Sequence, residues 1–568
     1  MRQAGPKTTC TLQERIKMNF KQALAALNSA PHWRKRAPYL EAWRQAGLHS
    51  AQLTGERIAE RVAANPDVPI VFGSRERPSQ ATAAELLRES YEIAAAFHRL
   101  GLREGDVLVS QMPNWREGTL TLLAALHLGL IFVPMVHIYG PAEMAFIMNT
   151  VGAKAVVVPD RWKKIDYGAR IGALGDVPTL KLVIVVGDES MPGQVTRWRD
   201  LDRRALQLPA LSATSDDPWL IMFTSGTTSA PKGVVHTHNS FGAEVPLFPT
   251  VPSPEGRPKL LPLPAGHSAG VIAALRPFLA ADACLMMDAW DEDLAVELIK
   301  RHRPDRAGGV PFMVSFLLDR AAELFPTGMV QLSVGAASVP STLMERCEQH
   351  RWPGTRTYGS TEHPTISGAT PADPFQKRAT TDGRLLAGVR IRLVDDEGAT
   401  VGEDLPGEIV SMGPELFKGY IDPSHNAAGF AEDGWFHTGD MGQLDADGYL
   451  RIVDRKKDII IRGGENISSK EVEDVLTLHP AVAEAAVVAW PDARMGEKVG
   501  VFVRLKPDAA LSTDDIAAHF AAAGIARQKT PERLVIVDDF PRTPAGKILK
   551  TELRERVKSL AAQERDPA

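Results

Sequence analysis

Residues 223–236 read FTSGTTSAPKGVVH, and this stretch restricts the possible architectures more than any other. The apolar run WLIMF at 219–223 leads into it and predicts a buried strand. Thr224, Ser225, Gly226, Thr227, Thr228 and Ser229 follow, all small and mostly hydroxylated. Lys232 then stands between Pro231 and Gly233, and Val234 and Val235 resume the apolar pattern. A cluster of this composition is often only a turn. Hydroxyls, a glycine and a lysine directly after a strand also make a cradle for a polyanion, best matched to a nucleotide triphosphate. The loop is not a Walker A motif. Pro231 stands where that motif has the glycine before its lysine, and Gly233 replaces the Mg²⁺-binding Ser/Thr.

At 568 residues the chain has length for roughly three to four domains. A formal net charge of −5 gives no basic footprint for nucleic acid. Cys10, Cys284 and Cys347 have neither disulfide-framework nor metal-ligand spacing, which fits a reducing cytoplasm. Residues 118–142 lack Asp, Glu, Lys and Arg, but His127, Gly129 and Pro134 interrupt them. A buried helix to about 128 followed by a strand at 130–133 accounts for the run, and no transmembrane segment is expected.

Along the chain, residues 1–58 are an N-terminal extension, largely helical. It has helical spacing at 16–27 and a basic cluster, Trp33, Arg34, Lys35 and Arg36, expected as a solvated cap rather than a docking element. From residue 68 strands and helices alternate: a strand at 69–72, an amphipathic helix at 83–100 stopped by Gly101, a strand at 106–109, Asn114 as capping candidate for the next helix, and apolar runs at 151–158 and 180–186. Such alternation predicts α/β architecture with parallel-rich sheets. Short strands at 389–394, 407–412 and 448–453 suggest a small β subdomain. After the polar break Arg455-Lys456-Lys457-Asp458, helices at 469–478 and 513–523 and strands at 481–489 and 499–505 predict a compact α+β domain. The expected organisation is an extension (1–58), a large N-terminal domain of several subdomains (59–454), and a small mobile C-terminal domain (455–568).

The loop FTSGTTSAPKG resembles the signature of the adenylate-forming superfamily: acyl-CoA synthetases, luciferases and peptide-synthetase adenylation domains. Further stretches resemble the superfamily in the expected order, covering roughly residues 59–555. Tyr358-Gly359-Ser360-Thr361-Glu362 is similar to its aromatic-Gly-x-Thr-Glu motif. The resemblance implies that Tyr358 stacks on adenine, that Gly359 and Thr361 line the nucleotide, and that Glu362 holds Mg²⁺; a hard cation bridging phosphates wants a carboxylate oxygen. Thr438-Gly439-Asp440 resembles the motif whose aspartate accepts from both ribose hydroxyls. Asp454 to Asp458 (DRKKD) resembles the hinge motif, with Arg455 on the nucleotide and Lys457 as pivot. Pro541 to Lys547 (PRTPAGK) resembles the last motif, whose lysine, here Lys547, contacts the carboxylate and α-phosphate during adenylation. Gly335 and Ala336 resemble the turn against adenine and the start of the acyl pocket. His267 resembles the residue bordering the substrate carboxylate, and Gly463 and Gly464 resemble glycines lining the CoA tunnel. In two places the chain departs from the pattern: Ser229 replaces a usual glycine, and Arg356 stands where many relatives carry Asn, Gln or Asp.

What the resemblance implies is an acyl-CoA synthetase that joins a carboxylic acid to AMP and passes the acyl group to CoA. Catalysis would fall to Lys547, Glu362 and Lys232, and ATP binding to Thr224, Ser225, Gly226, Thr227, Thr228, Lys232, Ala336, Tyr358, Gly359, Thr361, Asp440 and Arg455. Its Mg²⁺ would travel with ATP, and CoA is a co-substrate. The small apolar run 271–275 after His267 predicts an apolar monocarboxylic acid, in a chain similar in texture to medium-chain and cyclohexanecarboxylate-type ligases. A carrier-protein-loading enzyme and a non-catalytic nucleotide-binding module are the alternatives. The expected setting is cytoplasmic, and a homodimer stays open.

Overall fold

The computed structural model describes residues 20–565 apart from 225–230, 336–338, 403, 463–464, 493–494, 524, 526 and 544–545. Two large sheets carry most of it. In one, the strands Val107–Ser110, Ile131–Pro134, Ala155–Pro159 and Leu182–Val186 run parallel. Pro218–Thr224 continues them parallel before turning back antiparallel into Lys232–Thr237. In the other, Pro69–Gly73, Cys284–Met287, Lys259–Leu261, Arg306–Gly309, Gln331–Val334 and Gly354–Tyr358 lie parallel in that order. The parallel strands are apolar without alternation because helices cover both faces. Ala155–Pro159, for example, is buried at every position. The apolar run after residue 118 is the buried helix Arg116–His127 and the strand Ile131–Pro134.

A four-stranded antiparallel sheet follows: Arg390–Val394, Gly407–Met412, Phe436–Leu444 and Leu450–Arg455. The C-terminal part has its own sheet, centred on the long pair Val482–Asp492 and Gly496–Leu505. The helices Ser469–Thr477 and Thr513–Ala522 pack on one face of it around Val472, Leu476, Ile516 and Phe520, all buried. Its first helix is tied to the preceding strand. Asp454, at the end of Leu450–Arg455, accepts from Ser468 Oγ (3.0 Å), Ser469 Oγ (3.2 Å) and the Lys470 amide (3.2 Å). A carboxylate at a helix N-terminus satisfies donors that no intrahelical carbonyl can reach.

The helix expected over 16–27 is present from the first described residue, as Phe20–Ser29, and residues 16–19 lie outside the described residues. Two expectations need correction. Asn114 does not cap the helix Arg116–His127, because its side-chain amide donates instead to the Leu263 and Met287 carbonyls at 2.6 and 2.9 Å, tying the two large sheets together. Of the basic cluster at 33–36, Arg34 and Lys35 are exposed as a solvated cap would have them, but Arg36 is not. Arg36 is 1% exposed, and the helices Pro31–Lys35 and Ala37–Gln45 dock on residues 414–436, where main-chain carbonyls accept from Arg36 and from His32.

Candidate active site

In open α/β sheets ligands sit beyond the carboxyl ends of the strands, and the site residues gather there. Thr224 and Lys232 end and begin the antiparallel pair Pro218–Thr224 and Lys232–Thr237 and face each other across it. Residues 225–230 between them, with the candidates Ser225, Gly226, Thr227 and Thr228, lie outside the described residues, as do Ala336, Gly463 and Gly464. Tyr358 closes the strand Gly354–Tyr358. Gly359 then turns so tightly that a Cβ there would lie 1.9 Å from the Pro364 carbonyl oxygen, a contact no side chain tolerates. Gly359→Ala is therefore expected to displace the 359–364 loop. It should lower stability by about 2–3 kcal/mol and slow pyrophosphate release, read by thermal unfolding beside a phosphate-coupled assay.

Two clusters of side chains form around this turn. In the first, the Tyr358 hydroxyl donates to Asp440 Oδ2 at 2.8 Å, and Arg455 Nε meets Asp440 Oδ1 at 3.1 Å. Asp440 and Arg455 face each other across neighbouring antiparallel strands, so strand register alone brings the pair together. Burial, and then the Asp440 charge, push the Tyr358 phenol well above its ordinary range and keep it a donor. In the second cluster, the Tyr420 hydroxyl donates to Glu362 Oε1 at 2.7 Å, and Lys232 Nζ stands over the Tyr420 ring, 5.3 Å from its centre. Tyr420 belongs to the short strand Gly419–Tyr420, which pairs with Lys232–Thr237. The Thr361 carbonyl accepts from His236 Nε2 at 2.7 Å, anchoring the loop from beneath.

Electrostatics joins the clusters and adds the C-terminal segment. The Arg455 cation is held up first by Asp440, and also feels Asp458, Tyr358 and Glu362. Lys547 sits among the same charges. Burial lowers its ammonium to about 8, Arg455 and Lys457 push it further down, and Asp440 and Asp458 oppose them. Its loop is closed by the Thr543 amide donating to the Lys547 carbonyl at 2.7 Å. Next to it Gly546 lies against Phe312, whose ring a Cβ would meet at 2.7 Å. Lys232, Arg455 and Lys547 are thus linked through the Glu362 and Asp440 carboxylates, from Lys232–Thr237, Leu450–Arg455 and the 541–548 loop.

A model of the AMP-binding enzyme family matches residues 58–421, and one of the AMP-binding enzyme C-terminal domain matches residues 471–547. The chain belongs to the AMP-binding enzyme family, among its acyl-CoA synthetases. It is similar to a medium-chain fatty-acid–CoA ligase of Escherichia coli, 33% identical over 468 residues that cover 80% of this chain and 82% of that protein. The human mitochondrial medium-chain acyl-CoA ligase ACSF2 is 30% identical over 548 residues, covering 89% and 86%. Among solved structures, an anthranilate CoA ligase in complex with anthranoyl-AMP superposes with a TM-score of 0.81 at 22% identity, over 90% of this chain and 98% of that one. At that identity the likeness establishes the fold.

In this synthetase Lys232, Tyr358, Glu362, Asp440, Arg455 and Lys547 share one charged neighbourhood. Lys457 lies beside it on the turn Lys456–Asp458. Its ammonium is lowered to about 8, by burial first and then by Arg455. His267 stands apart. It precedes the helix Ser268–Leu279, and burial keeps its ring neutral, at about 4. Its Nε2 is buried without a hydrogen-bond partner among the described residues. Gly335 abuts Thr357, whose Oγ1 a Cβ would meet at 2.8 Å, so it borders the strand that carries Tyr358. Arg356 points elsewhere. It is buried against Asp382, with Nη2 2.8 Å and Nε 3.1 Å from Oδ1, and it also donates to the Ala379 carbonyl.

Sequence reasoning missed Tyr420, which touches both Glu362 and Lys232. Its Gly-Tyr dipeptide at 419–420 gives no signal of its own, because only sheet pairing brings it to the site. In the run 271–275, Val271 and Ala274 line a cavity of about 30 Å³ with Met112, Leu122 and Phe132 and with the polar Ser110, Asn114 and Thr119.

Proposed function

We propose that this synthetase converts ATP, CoA and an apolar monocarboxylic acid into acyl-CoA, AMP and pyrophosphate through an acyl-adenylate. The observation that carries this reading is the convergence of Lys232, Arg455 and Lys547, from two parts of the chain, around Tyr358, Asp440 and Glu362. The substrate carboxylate is already ionised at neutral pH and is itself the nucleophile. Its oxygen bonds to the α-phosphorus as the bond to pyrophosphate breaks. The protein's task is to neutralise charge on the phosphates, and preorganised donors do this without reorganising during reaction. Lys232 serves the phosphates, Lys547 the carboxylate and α-phosphate, and Asp440 the ribose hydroxyls. The CoA sulfur then bonds to the acyl carbon and AMP leaves.

Glu362 suits Mg²⁺. A single carboxylate that leaves most positions to water and substrate phosphates is the usual way that ion is held, and Tyr420 fixes one of its oxygens. Bound there with ATP, the ion would neutralise phosphate charge. Residues 455–568 would form a domain that turns about Lys457, so that Lys547 leaves before the thiol enters along Gly463 and Gly464. Lys457→Pro is expected to slow thioester formation at least tenfold more than adenylation, since proline fixes a dihedral the rotation must change. Equal rates in wild type and variant for both half-reactions would remove the pivot.

What supports an apolar acid is the small apolar run 271–275 after His267, buried along the helix Ser268–Leu279. The names of both curated relatives describe medium-chain substrates, in agreement. No helix among the described residues is long and apolar enough to cross a membrane, and Cys284 and Cys347 are buried free thiols, consistent with a cytoplasmic setting. The test is pyrophosphate release across aliphatic, alicyclic and aromatic acids, with and without CoA. Release with medium-chain or alicyclic acids, completed to thioester by CoA, is expected. Release that CoA leaves without a thioester product would favour a carrier-loading enzyme, and no release with any acid would favour a non-catalytic module.

A further inference from the structure

The helices Pro31–Lys35 and Ala37–Gln45 lie before the residues matched by the family, yet they are built into the wall behind Glu362. Side chains from this region, His32, Arg36 between the helices and His49 just after them, satisfy three carbonyls of an irregular segment, 414–418. His49 Nε2 donates to the Pro414 carbonyl at 2.8 Å, Arg36 Nη1 to the Phe417 carbonyl at 2.5 Å, and His32 Nε2 to the Lys418 carbonyl at 3.0 Å. Buried main-chain carbonyls outside regular structure need such partners. The fit is close. A Cβ at Gly434 would come within 2.7 Å of the His32 carbonyl oxygen, and one at Gly419 within 2.9 Å of His32 Nε2. The His32 ring also stacks on Phe430 at 4.0 Å, and the Arg36 guanidinium lies 4.9 Å from the same ring.

The other side of this segment holds Glu362. The Phe417 amide donates to the Glu362 carbonyl at 2.8 Å, and three residues on the Tyr420 hydroxyl donates to its carboxylate. The peptide group that accepts from Arg36 thus adjoins the residue whose amide holds Glu362. We propose that Arg36, with His32, is a positioning residue for the nucleotide's metal. The N-terminal helices set the 414–420 strap, and the strap aims the Glu362 carboxylate. The proposal rests on the metal-binding reading of Glu362.

The test is single-turnover pyrophosphate release by the full chain as Mg²⁺ is varied, with thioester formation from preformed acyl-adenylate as the second readout. Arg36→Met and Tyr420→Phe should each raise the Mg²⁺ concentration for half-maximal rate about tenfold and leave the CoA step unchanged. Their combination should be no worse than either alone, because both act through one carboxylate. His32→Phe, which keeps the ring stack and loses the donor, should shift it in the same direction by less, and it decides the matter if Arg36→Met does not fold. Additive effects of Arg36→Met and Tyr420→Phe, or equal losses in both half-reactions, would overturn the proposal. Glu362→Gln separates the two layers. If it fails to move the Mg²⁺ dependence, the metal reading falls; if it moves it while the Arg36 and His32 variants do not, only the positioning role falls.

Discussion

Lys547→Ala should reduce acyl-adenylate formation by about 10²–10³-fold, the usual loss when one preorganised donor to developing charge is removed. It should leave thioester formation from preformed adenylate nearly intact. The asymmetry follows from location. Lys547 sits on a loop of the C-terminal part, seated by Gly546 against Phe312 and surrounded by Arg455, Asp440, Lys457 and Asp458. In the mechanism proposed above, that seat serves the step in which the carboxylate and the α-phosphate react. A pH effect accompanies it. Burial, Arg455 and Lys457 lower the ammonium to about 8, and the charged form is the useful one. For the free enzyme, kcat/KM for adenylation should therefore hold below that pH and fall as pH rises through it. ATP phosphates favour the cation, so at saturating ATP the decline should move to higher pH, and Lys547→Ala should lack it. Equal loss in both half-reactions, or a wild-type profile flat from pH 7 to 9, would remove the assigned role.

The residues that gather around Tyr358 were legible because each belongs to a short run with its own local chemistry. Thr224 and Lys232 flank the end of one strand and the start of the next, and an aromatic-Gly-x-Thr-Glu run puts ring and carboxylate within one tight loop. Gly359 shows why the spacing has no slack, since the Pro364 carbonyl fills the place of a side chain. What escaped depends on pairings between distant segments. Tyr420 reaches Glu362 only because Gly419–Tyr420 pairs with Lys232–Thr237. Arg36 looked like a solvated charge because its partners are carbonyls at 417 and 434, and carbonyls carry no mark in a sequence. Asn114 had the right residue type for a cap, but two main-chain carbonyls from the other sheet claim its amide. Local rules read local chemistry well and fail where a side chain is spent on holding two remote segments together.

Asp440→Ala should weaken ATP binding by roughly 30–150-fold, from about 2–3 kcal/mol of hydrogen bonds to an ionised group. Asp440 is 5% exposed, so little water competes for its oxygens. The Tyr358 hydroxyl takes one oxygen and Arg455 Nε the other. A carboxylate offers about four acceptor sites, which leaves two for the 2′ and 3′ hydroxyls of ribose. The two protein donors therefore orient the group without exhausting it. Asp440→Asn separates orientation from charge. It keeps the shape and one acceptor oxygen but turns an NH₂ toward either Tyr358 or Arg455, both donors, and should lose nearly as much ATP affinity as the alanine variant. Stability should fall far less than affinity, because Arg455 is 42% exposed and water takes up the charge that its partner abandons. Calorimetric titration with a non-hydrolysable ATP analogue, beside thermal unfolding without nucleotide, distinguishes the two effects. An unaltered dissociation constant with a lowered unfolding temperature would make Asp440 a brace for Tyr358 and Arg455 alone. A large affinity loss at nearly constant unfolding temperature would assign its remaining lone pairs to the ribose.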